Sequence, residues 1–206
     1  MSRAIFQLSL DYVTKIDGLT ASIYNLPGCN LFFNSHCGNK GGLLFILKFS
    51  IKYEVIDNLK IRSDSIESLF INVSTQNDSL IMGNIYRRPG SNFEDFLGKF
   101  EDVLRFIGNK KCLIGGDLNL NFIDHNISSC VKSFIDLFFI FSYIFLINKP
   151  TRESTHSATL IDHIWTNYNN LNIFSGILVT DASDNFSPLA VISFLEEIFA
   201  DTEDFF

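Results

Sequence analysis

The sequence is poor in proline, tryptophan and cationic side chains, and it has no long apolar run. It contains 4 prolines and 1 tryptophan in 206 residues. Because 47% of the residues are hydrophobic and only 19% charged, the chain can bury a core, which excludes intrinsic disorder. The length suits one domain. A formal net charge of −7 argues against a general nucleic-acid coat protein, although a local basic groove stays compatible with it.

Cysteine and targeting signals are also sparse. The four cysteines form no Cys-X-X-Cys pair and no dense framework, which predicts reduced thiols in an intracellular, nuclear or cytoplasmic protein: Cys29, Cys37, Cys112 and Cys130. No secretory signal precedes residue 10. The most apolar window, residues 134–147, contains Asp136 and is shorter than the about 20 residues of a membrane span. We therefore expect a buried helix running into a buried strand there, and no membrane partner.

Turn residues divide the chain into short strands and two helices. Helices are predicted from a cap at Ser91 or Asn92 to about residue 108, and from about 129 to 141. Strands are predicted at 43–47 with 52–55 as hairpin partner, at 68–73 and 80–86 as a second hairpin, and at 110–115, 143–147, 162–166, 176–180 and 189–194. This order predicts an α/β fold with sheets packed inside helices.

Polar side chains follow several predicted strands where a sheet presents a site. Asp117 and Asn119 come directly after a buried strand, and strand alternation would place both on one side. After Gly-Gly these are also ordinary turn residues, which is the favoured interpretation of the pair alone. Asp162 opens a later strand and Asp184 lies in a loop before Pro188, and for each of them alone a loop cap is the favoured interpretation.

Taken in chain order, four motifs resemble the endonuclease/exonuclease/phosphatase superfamily. They are Ile85-Tyr86-Arg87-Arg88-Pro89, Ile114-Gly115-Gly116-Asp117-Leu118-Asn119, Leu160-Ile161-Asp162-His163-Ile164 and Ser183-Asp184-Asn185-Phe186-Ser187-Pro188. Two further segments are similar to the endonuclease domain of non-LTR (LINE-type) retrotransposons: Asn25-Leu26-Pro27-Gly28 with Lys40-Gly41-Gly42, and Lys149-Pro150-Thr151-Arg152. The resemblance runs from about residue 8 to residue 194.

The resemblance implies a four-layer α/β sandwich, in which helices flank two packed, mainly antiparallel sheets. It implies one domain over residues 1–195, followed by an acidic tail at 196–206. The family's first strand is expected upstream of Met1, so that the domain is N-terminally truncated. The implied activity is magnesium-dependent hydrolysis of a phosphodiester, with DNA as the nicked partner. No reverse transcriptase segment follows, so we expect no polymerase activity from this chain.

The motifs also imply roles for single residues. Asp117 would orient or deprotonate the attacking water, and Asn119 would hold the scissile phosphate. Tyr86 would contact that phosphate or position the nucleophile, and Thr159 would be a further phosphate contact. Such a set is chemically coherent, because a metal and hydrogen-bond donors offset charge on the phosphate while a carboxylate handles the proton of water.

Two positions depart from the family pattern. Asp162 would orient the last-motif histidine and Asp184 would lie beside it near the metal, but the histidine position holds Asn185, which carries no cation near neutral pH. The metal-binding glutamate position falls on Leu10, with Asp11 next to it as a weak substitute. Each loss is expected to cost about two powers of ten in rate or more.

The remaining histidines do not replace the missing one. Strand alternation turns His163 away from the face of Asp162, and the other three lie in polar loops: His36, His125 and His156. Three functions stay open: a degenerate retrotransposon endonuclease with weak or no activity, a catalytically dead remnant with a binding role or none, and a phosphomonoesterase of the same superfamily. We predict that Asp117, Asn119, Asp162 and Asp184 converge in one cleft with Tyr86 at its edge.

Overall fold

The computed structural model shows a strand-rich α/β fold. It describes residues 4–6, 27–35, 42–74, 78–124, 128–154, 156–168, 173–178 and 187–192. The strands in these ranges are β1 (Ala4–Phe6), β2 (Cys29–Ser35), β3 (Gly42–Lys48), β4 (Lys52–Val55), β5 (Ile66–Ser74), β6 (Ser79–Arg87), β7 (Cys112–Asp117), β8 (Ile144–Phe145), β9 (Arg152–Glu153), β10 (Ala158–Thr159), β11 (Asp162–Thr166), β12 (Ile173–Leu178) and β13 (Ser187–Ile192). The helices are α1 (Phe93–Ile107) and α2 (Ser129–Ile140).

The main sheet has six strands in the order β4-β5-β6-β7-β11-β8. All of its pairings are antiparallel except that of β6 with β7. A parallel pair needs a crossover connection, and α1 provides it. The crossover brings the carboxyl ends of β6 and β7 to one edge of the sheet, next to the start of the antiparallel strand β11. Three chain segments that are distant in sequence therefore meet at that edge.

The close approach of β6 and β7 depends on a glycine. Gly116 lies opposite Ile85 in the parallel register, and a Cβ built at this position would run into the backbone carbonyl of Ile85. Only a residue without a side chain fits between the two backbones. The glycine that precedes Asp117 in the sequence is thus explained by strand packing.

Both helices follow their sequence signals closely. The side chain of Asn92 caps α1 by accepting a hydrogen bond from the Asp95 amide at 2.9 Å, and Gly108 with φ 57° ends the helix. Ser128 caps α2 in the same way. The two helices bury a cluster of four phenylalanine rings against Trp165 of β11: Phe96, Phe100, Phe134 and Phe138.

A second layer of strands covers the other face of the main sheet. It consists of the hairpin β2-β3 and the sheet β1-β13-β12, and it packs on β5, β6 and β11. Leu43, Phe45 and Leu47 of β3 are buried in the core, as alternation along a strand requires. The described residues account for three of the four expected layers, and the α/β sandwich is confirmed.

Two sequence predictions about these elements are wrong. Residues 52–55 pair with β5 and not with the strand at 43–47, whose partner is β2. Hydrophobic periodicity does not reveal that the chain changes layers between β3 and β4. The window 134–147 is also less buried than expected, because β8 is a two-residue edge strand and the end of α2 faces solvent, with Phe139 61% and Ile140 75% exposed. No helix in the described ranges is long and apolar enough to cross a membrane.

The glycine at the β6–β7 contact gives a stability test. We expect Gly116→Ala to lower the free energy of unfolding by at least about 2 kcal/mol, because the neighbouring strand must shift to admit a methyl group. Gly98→Ala is the matched control, because this exposed glycine in α1 has open space around it. Alanine there should raise the free energy of unfolding by roughly 0.5–1 kcal/mol. Urea unfolding measures the free energy of unfolding of both variants. An equal change in the two variants would contradict the packing argument.

Candidate active site

Four side chains form one row across the edge of the main sheet. The strand register places Glu67 opposite Tyr86, Tyr86 opposite Asp117, and Asp117 opposite Asp162. Residues directly opposite on neighbouring strands point to the same face. The structure therefore brings Tyr86, Asp117 and Asp162 together on the face turned away from the helices. Asp117 and Asp162 on opposite faces would have contradicted the family resemblance, and they are on the same one.

Asn119 reaches the site through a turn and not through strand alternation. β7 ends at Asp117, and Asn119 has φ 50°, the left-handed conformation that asparagine tolerates better than most residues. Its backbone N–H donates to Asp117 Oδ1 at 2.8 Å, and its Nδ2 donates to the carbonyl of Arg87 at 2.8 Å. The turn interpretation is therefore correct, and the turn holds Asn119 beside the row.

Asp117 has unusual electrostatics. Burial raises the pKa of its carboxyl to about 6, against the opposing effects of the Asn119 amide and the positive charge of Arg152. A carboxylate that titrates near neutral pH can accept a proton from water and release it again. Such a shift costs folding stability at neutral pH, so it is typical of a site that serves chemistry.

The Thr151 hydroxyl lies next to the backbone of Asp162. This side chain is fully buried, and its Oγ1 accepts hydrogen bonds from the backbone N–H groups of Asp162 at 3.2 Å and Ile161 at 3.3 Å. Thr159, the expected phosphate contact, lies on β10, where its carbonyl accepts from the Thr151 amide at 2.9 Å. Sequence reasoning assigned no role to Thr151, although the segment Lys149–Arg152 carried part of the resemblance.

Sequence reasoning also missed Glu67. It is 3% exposed, and its Oε1 accepts a hydrogen bond from Arg88 at 3.0 Å. A glutamate within a strand of otherwise buried residues is a signal, because acidic side chains are rarely buried without a partner. The ion pair of Glu67 with Arg88 lies at the β5 end of the row.

His163 does not act at this site. It is 1% exposed on the helical face, with its ring centroid 3.9 Å from Phe122 and 5.1 Å from Trp165. Burial lowers the pKa of this imidazole to about 3, so it stays neutral at physiological pH. His156 is exposed between β9 and β10. Other predicted residues lie outside the described ranges: Leu10, Asp11, His36, Cys37, His125, Asp184 and Asn185.

The row offers few oxygen ligands for the metal expected from the resemblance. Among the described residues, no group of three or more His, Cys, Asp and Glu side chains forms a site for a metal ion. The row offers the carboxylates of Asp117 and Asp162, next to the amide of Asn119. Such a set suits Mg²⁺, which binds one or two carboxylates and completes its shell with water and phosphate oxygens.

A family model described as endonuclease-reverse transcriptase matches residues 80–185, more than half of the chain. The chain belongs to this family. The match begins in β6 and contains Tyr86, Asp117, Asn119 and Asp162. The resemblance to LINE-type endonucleases that the motifs indicated is thereby confirmed. No curated protein matches the chain closely enough to serve as a relative.

Three solved structures share the fold of this family member. The endonuclease domain of TRAS1, a telomere-specific non-LTR retrotransposon, superposes with a TM-score of 0.69 at 16% identity over 84% of each chain. D. rerio TDP2, solved with a single-strand DNA product, gives 0.54 at 12% identity over 84% of this chain and 80% of the other. A mannosyl-6-phosphatase from Bacteroides thetaiotaomicron gives 0.52 at 13% identity over 81% and 77%.

The raised pKa of Asp117 predicts a pH-dependent stability. A folded-state pKa of about 6 against about 4 in the unfolded chain favours the protonated folded form, and this stabilisation is lost as the pH rises from 4 through 6. Asp117→Asn keeps an oxygen for the Asn119 amide and cannot ionise. We expect the variant to be about 1–3 kcal/mol more stable than the unmodified chain at pH 7.5, and within about 0.5 kcal/mol of it at pH 4.

Urea unfolding at both pH values measures the difference. Asp95→Asn is the control of opposite sign, because hydrogen bonds from Lys99 and Ser65 lower the pKa of Asp95, so its removal should not stabilise the chain at pH 7.5. An equal effect of Asp117→Asn at pH 4 and pH 7.5 would show that the carboxyl does not titrate in this range.

Proposed function

We propose that this chain is a retrotransposon-derived endonuclease-like domain, by ancestry a magnesium-dependent phosphodiester hydrolase that nicks DNA, and now weakly active or inactive. The observation that carries the proposal is the row of Tyr86, Asp117 and Asp162, in which Asp117 has a pKa of about 6. The family match supports the endonuclease ancestry. The likeness to a TDP2 structure that contains a single-strand DNA product is compatible with a nucleic-acid substrate.

In the proposed mechanism the row handles the attacking water and the phosphate. Asp117 accepts the proton of the water, because its carboxylate is basic enough near neutral pH. Asn119 Nδ2 donates one hydrogen bond to the Arg87 carbonyl, and with its other N–H it donates to the scissile phosphate. Tyr86 is placed opposite Asp117 to contact the same phosphate. A bound Mg²⁺, for which Asp184 and, as a weak substitute, Asp11 are the proposed ligands, would offset negative charge on the phosphate.

DNA would approach the site along the hairpin β9-β10. Arg152 in this hairpin is exposed, and its charge acts on Asp117. Lys149 is exposed three residues before it. Phosphate contacts of this kind hold a nucleic acid in place without reading its sequence. A local basic strip of this kind reconciles DNA binding with a net charge of −7.

The proposed low activity has two causes, and both lie in segments of the sequence outside the row. Asn185 stands where a histidine would supply a cation and a proton donor, and Leu10 stands where a glutamate would bind the metal. The row alone orients water and phosphate but lacks the charge that stabilises the transition state. This favours an intact scaffold with little turnover over an efficient nuclease.

Restoring the two groups tests the proposal. We expect no magnesium-dependent nicking of supercoiled plasmid by the unmodified chain, and detectable nicking by the double variant Leu10→Glu, Asn185→His. Either single variant should recover little, because residues that act as a unit are not additive. Asp117→Ala on the double-variant background should abolish the activity again.

Two other functions are outcomes of the same experiments. Plasmid binding without nicking in the double variant would favour a catalytically dead remnant with a binding role. Hydrolysis of p-nitrophenyl phosphate in place of plasmid would favour a phosphomonoesterase, for which the fold likeness to a mannosyl-6-phosphatase is the motivating observation. Robust nicking by the unmodified chain, lost on Asp117→Ala, would contradict the proposed degeneration.

A further inference from the structure

Arg87 is an arginine buried at the end of β6, beside the row. It is 7% exposed, and among the described residues no carboxylate pairs with it. Its guanidinium lies over the rings of Phe93 at 5.9 Å and Phe96 at 5.7 Å, on the helical side of the sheet. Burial of a cation without a counter-ion is costly. An apolar side chain of similar size would fill this space at lower cost, so packing does not explain the guanidinium.

What the guanidinium adds is a set of contacts to backbone carbonyls. Nη1 donates to the carbonyls of Leu118 at 3.3 Å and Asn119 at 3.4 Å, and Nη2 donates to that of Ser91 at 3.1 Å. The planar fork of an arginine can reach carbonyls on two loops at once, which a lysine cannot do. Arg87 thus joins the turn after β7 to the start of α1.

Asn119 is held by Arg87 from two directions. The Arg87 side chain binds the Asn119 carbonyl, while the Arg87 carbonyl accepts from Asn119 Nδ2 at 2.8 Å. The Asp117 carboxylate accepts from the Asn119 amide at 2.8 Å. Two of these contacts hold the left-handed backbone of Asn119, and the third holds its carboxamide. Together they restrict the direction in which the second Nδ2 proton points.

We propose that Arg87 is a positioning residue, which holds Asn119 in the orientation that binds the scissile phosphate. The inference rests on the proposed function, because it assigns Arg87 an effect on that phosphate through Asn119. Misplacement of a positioned group by about 1 Å can cost a hundredfold in rate. Arg87 itself touches neither the phosphate nor the water.

The first experiment measures the geometry on the unmodified chain and does not depend on activity. In Arg87→Lys we expect the backbone amide of Asn119 to exchange with deuterium at least tenfold faster by NMR, at matched global stability. The amide of Cys112, which is bonded to Asn167 at the other end of β7, should be unaffected. Arg105→Lys is the control, since this exposed arginine also lies over an aromatic ring but, unlike Arg87, pairs with a carboxylate and has no contact with Asn119.

A second variant separates positioning from folding. Arg87→Ala should show the same fast exchange, and millimolar guanidinium should slow it again, whereas methylammonium should not. If Arg87→Lys does not fold, Arg87→Met, which fills the same space, takes its place. Exchange of Asn119 that is unchanged, or that changes only in step with Cys112, would overturn the inference.

The third experiment measures the effect of Arg87 on nicking, in the double variant Leu10→Glu, Asn185→His. Adding Arg87→Lys should lower kcat for nicking at least tenfold and leave KM within about twofold. Unchanged kcat together with fast exchange of Asn119 would overturn a role of Arg87 in catalysis. Absence of nicking by the background variant itself would contradict the proposed function, and the exchange arm would then still decide whether Arg87 positions Asn119.

Discussion

The parallel pairing of β6 with β7 is the constraint on which the rest of the site depends. It places Tyr86 opposite Asp117, and the antiparallel pairing of β11 then adds Asp162 to the same row. A shift of the β6–β7 register by one residue would turn Tyr86 and Asp117 to opposite faces. The backbone contact of Gly116 with Ile85 makes this register specific, because the two strands approach closely only where one of them lacks a side chain. The chemistry of the row is thus a consequence of how two backbones pack.

The same edge concentrates buried polar groups that a core would avoid. Asp117 is held with its pKa near 6, Arg87 is buried without a carboxylate partner among the described residues, and Glu67 is buried against Arg88. Thr151 contributes a buried hydroxyl that binds the backbone of Asp162. Each of these groups has at least one hydrogen bond that restricts its orientation. Such restriction favours a preorganised site over an accidental cluster of loop caps.

Much of the fold could be predicted from the sequence, because the signals were local. Asn92 and Gly108 mark the ends of α1, and the polar stretch after residue 74 predicted the hairpin β5-β6. The pairing of residues 52–55 could not be predicted, since periodicity says which face of a strand is apolar but not which strand lies beside it. Strand alternation was expected to bring Asn119 to the side of Asp117, whereas a turn with a left-handed residue places it there. The sequence alone does not show which residue adopts the left-handed conformation. Thr151 and Arg87 were missed because their roles arise only from hydrogen bonds between distant segments.

At position 117, the residue that would best stabilise the fold differs from the residue that the proposed function requires. The turn after β7 needs an oxygen at this position to accept from the Asn119 amide, and an asparagine would supply it without a buried charge. Folding alone would therefore favour asparagine at neutral pH, since the raised pKa of the carboxyl makes its ionised form costly. Proton transfer, in contrast, requires the carboxylate. Under the proposed function, the aspartate at the centre of the row serves proton transfer at a cost in stability, whereas Leu10 and Asn185 lack the groups that the family's catalysis would require. The proposed function thus ascribes to this chain a scaffold suited to phosphodiester hydrolysis with a reduced set of charged groups.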